Sequence, residues 1–172
     1  ANLKGATLNG AGLRGADLRG ANLADATMLR VDLRGANLRQ ANLIDAWLSN
    51  ADLTDADLTD ADLSNAQMWD ANLTGANLSG ANLMNSTLCG ADFTNANLSR
   101  TKFEFASMKG VILEGANLMR AELGGADLTG ARVAGADFTE ADVTSAKLKD
   151  LVGVADSNLE QAASNLNLAF RK

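Results

Sequence analysis

The chain has 172 residues, a net charge of −6 and 47 % apolar residues, which suits one domain with a sizeable core rather than a disordered segment. It contains no His, no Pro, no Tyr and a single Cys, Cys89. The missing imidazole excludes Ser-His-Asp and Cys-His relays, His metal ligands and a His pH switch, while the lone thiol excludes an internal disulfide and a Cys-based zinc site.

From Ala1 onward one five-residue unit recurs: ANLKG, ATLNG, AGLRG, ADLRG and on to AKLKD, thirty units to Asp150 without insertion or deletion. The third place holds 22 Leu, 3 Met, 3 Phe and 2 Val. The first place holds 26 Ala, with Val31, Ser86, Thr101 and Val111 as exceptions. Asp or Asn fills 18 of the 30 second places and Gly fills 13 of the fifth places. A fixed period over most of a chain means a repeat architecture and outranks local propensity.

The number five selects the architecture. Five residues of α-helix turn the chain by about 500°, so the Leu would scatter around the surface. In a straight strand an odd step sends successive Leu to opposite faces. A chain that bends once per unit solves the problem. First and third places point inward, the second points out, and the last two residues form an outward corner that resets the alternation. Gly, Asn and Asp suit such corners. Coils then stack at about 4.8 Å, the strand spacing. A period of 20 residues sorts the second places best. One class (Thr7, Thr27, Trp47, Gln67, Thr87, Ser107, Asp127 and Lys147) has one Asp or Asn in eight, against 17 in the other 22. The expectation is a four-sided coil with one side chemically unlike the rest.

These units, such as Ala16-Asp17-Leu18-Arg19-Gly20 and Ala76-Asn77-Leu78-Ser79-Gly80, resemble the pentapeptide repeat family. The resemblance implies an all-β fold, a right-handed quadrilateral parallel β-helix (solenoid) of about 7.5 four-sided coils, with Leu and Ala lining the interior. Family members are mostly of unknown function. One branch resembles DNA and protects type II topoisomerases from quinolones, and others occur in cyanobacteria and in the thylakoid lumen.

Further along, Thr101-Lys102-Phe103-Glu104-Phe105 and Val111-Ile112-Leu113 are the least regular stretch, where a distortion or bulge is expected. After residues 1–150, residues 151–172 read as a linker and capping helix. Ser157-Asn158-Leu159-Glu160 has the form of a capping box. Leu159, Ala162, Ala163, Leu166, Ala169 and Phe170 follow at helical spacing, predicting a helix from about Asn158 to Phe170 over the last coil. Leu159, Leu166 and Phe170 would be its cap contacts, or a homodimer contact through that end of the solenoid. The N-terminal end carries no such cap in the sequence, and the start at Ala1 reads as a processed chain or an excised domain. No compartment signal is legible. The cytoplasm is the default expectation, with the periplasm or thylakoid lumen open if a leader preceded Ala1.

Among surface features, residues 51–100 carry a net charge of −6, against +2 for residues 1–50 and −2 for residues 101–172. Asp52, Asp55, Asp57, Asp60, Asp62 and Asp70 form a belt around the rod rather than a stripe along it. Arg14 stacks under Arg34, and Arg19 under Arg39. That pattern, with its net acid, argues against direct nucleic-acid binding, and no apolar run approaches the ~18 residues of a membrane span. The Asp ladders read as corner hydrogen bonds rather than catalytic pairs or Ca²⁺ loops, so no cofactor or metal is expected. The odd side carries Trp47 and Trp69, with Leu29 and Cys89 at outward places, and Ile44 and Met84 lie outward on the neighbouring side. Exposed aromatic clusters mark interfaces. The functional expectation is a non-enzymatic scaffold that binds a protein partner through this patch. The alternative is a DNA mimic that acts on gyrase in the manner of quinolone-resistance proteins.

Overall fold

The computed structural model describes residues 1–164. Every bridge between coils is parallel and joins residue i to residue i+20, from Asn2 with Asn22 to Arg132 with Val152. The coil therefore has four sides and winds right-handed, the hand that parallel crossovers take. Side 1 contains residues 1–5, 21–25, 41–45 and so on; side 2 begins at residue 6, side 3 at 11 and side 4 at 16. Coils are numbered from the first 20 residues.

Backbone accounting explains the five-residue unit. In the unit 76–80, the Asn77 N–H donates to Ala56 O of the coil below at 2.9 Å, and the Leu78 N–H to Asn97 O of the coil above at 2.8 Å. The Gly80 N–H reaches Ser99 O at 3.0 Å. Ala81 N–H closes a turn onto Leu78 O at 2.9 Å. Only the fourth-place N–H lacks a backbone acceptor, and the second-place side chain supplies one: Asn77 Oδ1 accepts from Ser79 N–H at 3.2 Å. The same contact recurs in units such as Asp52 with Thr54, Asn82 with Met84 and Asp142 with Thr144. Asp and Asn recur at the second place because their short side chains return to the backbone two residues on.

The fifth place is equally constrained. All thirty fifth-place residues have positive φ, between +53° and +72°. Positive φ at the third residue of a hydrogen-bonded four-residue turn is the type II pattern, which Gly and Asn adopt most readily.

Inside, the third-place side chains from Leu23 to Val143 are fully buried, with first-place Ala between them. Phe93 and Phe103 meet edge to face across the interior, with ring centroids 6.3 Å apart. The expected distortion at Thr101–Phe105 and Val111–Leu113 is absent: Lys102 and Ile112 keep their bridges to both neighbouring coils. Two facts explain this. Thr101 Oγ1 donates to Leu78 O at 2.8 Å, and Ser86 Oγ to Leu83 O at 2.7 Å, so buried hydroxyls find acceptors in the corner carbonyls. Val31 and Val111 also fit, at 1 % exposure or less.

The chain leaves the repeat through Val152, which still bridges Arg132. A short 3₁₀ turn (Val154–Asp156) and a helix, α1 (Leu159–Ser164), follow. The cap differs from the sequence expectation. Asn158 O accepts the first helical N–H, from Ala162 at 3.2 Å, so the N-cap is Asn158 and not Ser157. Ser157 Oγ instead donates to Val154 O at 2.9 Å. The Asn158 side chain is committed to coil 7, where Nδ2 donates to Asp137 Oδ1 at 2.7 Å and Oδ1 accepts the Phe138 N–H. Leu159 is fully buried against the core. Leu166 and Phe170, and the expected run of the helix to Phe170, lie outside the described residues.

Candidate interaction surface

The register places the outward apolar residues on two adjoining sides. Leu29 (coil 2), Trp47 (coil 3), Trp69 (coil 4) and Cys89 (coil 5) stand on side 2, while Ile44 (coil 3) and Met84 (coil 5) stand on side 1. Trp47 and Trp69 are each 54 % exposed; Leu29, Ile44, Met84 and Cys89 are half-buried. On sides 3 and 4, the outward places of coils 2 to 5 hold only Asp, Asn, Arg, Gln, Thr, Ser and Gly. The rod is thus amphipathic in cross-section over those coils.

The hydrogen-bond scheme explains why side 2 differs. With Trp47, Gln67, Thr87 or Ser107 at the second place, no Asp or Asn folds back onto the corner amide of the same unit. The side chain stays free to project. Leu29 N–H takes a substitute acceptor, Asn9 Oδ1 of the coil below, at 2.9 Å. Cys89 is partly covered by Ser107, whose Oγ lies 3.3 Å from Sγ.

One exposed aromatic escaped the sequence reading. Phe105 closes side 1 in coil 6 at φ +59° and is 69 % exposed. A bulky residue in the left-handed region costs roughly 1–2 kcal/mol, and its ring lies over Gly125, where a Cβ would come within 2.8 Å. The available signal was an aromatic residue at a place otherwise held by Gly and polar residues. Beyond this strip, Met119 and Val152 are exposed on sides 4 and 3 at the C-terminal end.

Charges are also placed unevenly. Two arginines below the belt are occupied by its Asp residues or their neighbours: Arg34 Nε lies 2.8 Å from Asp32 and 3.6 Å from Asp52, and Arg39 lies 3.3 Å from Asp57. The hydrogen-bonded Arg34 holds the Asp32 carboxyl at about 2, and Arg19 does the same for Asp17. Within the belt region, Asp45, Asp55, Asp60, Asp62 and Asp70 have no ion-pair partner among the described residues. On side 1, burial raises the pKa of Glu104, and Glu122 adds to the rise while Lys102 opposes it. Oε2 of Glu104 is buried without a hydrogen-bond partner among the described residues. A cleft of about 200 Å³ between coil 7 and α1 contains one carboxylate, Glu140, which Arg120 already engages at 2.6 Å. No group of three or more metal-ligating side chains occurs among the described residues, and no helix there is long and apolar enough to cross a membrane.

A sealed, side-chain-filled solenoid with flat, hydrogen-bonded sides defines a repeat scaffold. The sequence profile described as pentapeptide repeats (8 copies) matches residues 1–40, 36–75, 76–115, 96–135 and 116–150, and the chain belongs to that family. Its fold is similar to that of a trypsin-treated variant of QnrB1, a plasmid-mediated fluoroquinolone resistance protein. The two share 18 % identity with a TM-score of 0.73 over 99 % of this chain and 92 % of the other. A pentapeptide repeat protein from the Arabidopsis thaliana thylakoid lumen is 35 % identical over 76 % of this chain and 70 % of its own, with a TM-score of 0.39. The pentapeptide repeat protein Rfr23 from the cyanobacterium Cyanothece 51142 is 32 % identical over 59 % and 62 %, with a TM-score of 0.43. A comparison with curated proteins finds no match.

Proposed function

We propose that the chain is a non-enzymatic scaffold that binds a protein partner through sides 1 and 2, with Trp47 and Trp69 as its anchors. The observation that carries this reading is the segregation of Leu29, Ile44, Trp47, Trp69, Met84 and Cys89 onto two adjoining sides, opposite a surface that holds no large apolar residue over coils 2 to 5. Surface apolar residues scattered singly need no explanation; gathered around two half-exposed indoles they mark an interface. The test is affinity capture from the source organism with wild type, Trp47→Ala/Trp69→Ala and a side-3 control, Asp92→Asn. A partner kept by wild type and control and lost by the Trp variant supports the reading. A partner retained by the Trp variant overturns it.

The second reading is a DNA mimic acting on gyrase, favoured by the fold likeness to QnrB1. The charge distribution weighs against it, because a mimic presents acid along its length to a basic groove, while here Asp45, Asp55, Asp60, Asp62 and Asp70 girdle coils 3 and 4. Protection of gyrase supercoiling from a fluoroquinolone, weakening as salt rises, would establish this second reading in place of the first.

A further inference from the structure

We propose that the partner element seated on sides 1 and 2 is a basic amphipathic α-helix lying along the solenoid axis; this rests on the interaction-scaffold reading above. Three observations lead there. The strip runs from Leu29 in coil 2 to Phe105 in coil 6. Four coil steps at the strand spacing are about 19 Å, the length of about 13 helical residues.

The second observation concerns backbone chemistry. An extended segment binds a sheet by adding main-chain hydrogen bonds at an open edge. The sides of this rod offer no continuous edge of that kind: on side 2 the fourth-place amides of Ser49, Trp69 and Cys89 lack acceptors among the described residues, but each stands singly between paired groups. The Trp47 N–H donates to Ala26 O, Leu48 N–H to Gln67 O and Asn50 N–H to Trp69 O. A strand laid on the indoles would desolvate most of its own backbone groups without replacement. A helix satisfies its backbone internally and brings only side chains to the contact.

The third is charge. Asp45 and Asp70 close the corners beside Trp47 and Trp69, and Asp62 lies on side 1 in the coil of Trp69; none has an ion-pair partner among the described residues. Lys and Arg flanking an apolar stripe would meet these carboxylates, and their cationic heads would also lie favourably over the indole faces.

Both tryptophans of the chain lie in the strip, so intrinsic fluorescence reports on this surface alone. Three labelled 15-residue Leu/Lys or Leu/Glu peptides serve as probes: Leu/Lys with an apolar stripe, the same composition with Leu scattered, and Leu/Glu with the stripe. The striped Leu/Lys peptide is expected to bind saturably with a blue shift of Trp emission. The other two should bind at least tenfold more weakly. Reversing Asp45→Lys and Asp70→Lys should weaken the striped peptide at least tenfold. The same net change at Asp55→Lys and Asp60→Lys, on sides 3 and 4, should leave its affinity within twofold, with far-UV dichroism confirming that both variants fold. Equal binding of scattered and striped Leu/Lys peptides, preference for Leu/Glu, or equal losses in the two reversal variants would each overturn the proposal. If capture of a natural partner still depends on Trp47 and Trp69 after such a result, the scaffold reading stands and only the basic helix falls.

Discussion

The backbone of Ala134 occupies the space that a side chain on Gly153 would need: a Cβ there would stand 2.8 Å from the Ala134 nitrogen and 2.9 Å from its Cα. Gly153 also has φ +81°. Both penalties fall where the solenoid gives way to its cap, and backbone cannot swing aside as a flexible side chain can. Gly153→Ala is expected to lower stability by more than about 2 kcal/mol, the dihedral cost plus the clash. Gly130→Ala, at φ +72° with nothing within 4 Å, should lose only about 1 kcal/mol. Paired thermal melts check the ordering.

The fourth-place amide supplies a second prediction. Asp92 Oδ1 accepts the Thr94 N–H at 2.8 Å and its hydroxyl at 2.6 Å, with no ion pair in competition. Asp92→Asn preserves the acceptor and should shift stability by less than about 0.5 kcal/mol, whereas Asp92→Ala should cost about 1 kcal/mol. Urea denaturation of the three proteins distinguishes these outcomes. Equal losses in both variants would mean that charge, and not the returned oxygen, matters at this place.

Thr101 tests how the core accommodates a hydroxyl. Its Oγ1 donates to Leu78 O, which already accepts the Ala81 N–H at 2.9 Å. Thr101→Val removes the donor and leaves that carbonyl bonded, so the change should stay within about 1 kcal/mol of wild type. Thermal melting measures it directly.

Falling and rising pH should act through different residues. At Asp127, partial burial pushes the carboxyl up, but the Thr129 hydroxyl and amide, with Lys147, outweigh it and hold it at about 2. The folded state therefore binds fewer protons there than the unfolded state. Stability from Asp127 is present above the ordinary carboxylate range and is lost as pH falls through that range toward about 2. Glu104 has the opposite sign. Its raised pKa makes the folded state hold a proton longer, so its contribution is present below the ordinary Glu value and is lost as pH rises through the folded value. Melting temperature against pH should fall at the acid end less steeply in Asp127→Asn, and at higher pH less steeply in Glu104→Gln.

The solenoid was legible because the core rule is strict: every third place is apolar, and only a bend every fifth residue gathers them. The separation of Trp47 and Trp69 from the polar sides was legible for the same reason, since a period of 20 assigns each outward place to a side. Other features depend on partners that periodicity does not reveal. Thr101 reads as an irregularity until Leu78 O is seen to receive its hydroxyl. Ser157-x-x-Glu160 reads as a capping box, yet the helix starts one residue later because the Asn158 side chain is drawn onto Asp137 and Phe138. Phe105 reads as a break in the pattern, although its ring has a bare glycine to rest on.

The interior cannot count beyond five, but the exterior counts to twenty. A deletion of one unit would leave Ala and Leu where they were and keep the corner turns intact, while every outward residue downstream would move a quarter-turn around the rod. Where the lost unit lies between them, Trp69 would leave the side it shares with Trp47, in a protein that still folds. Only losses or gains of a whole coil preserve the surface, so the length of such a rod can change freely while its binding face can change only in whole steps.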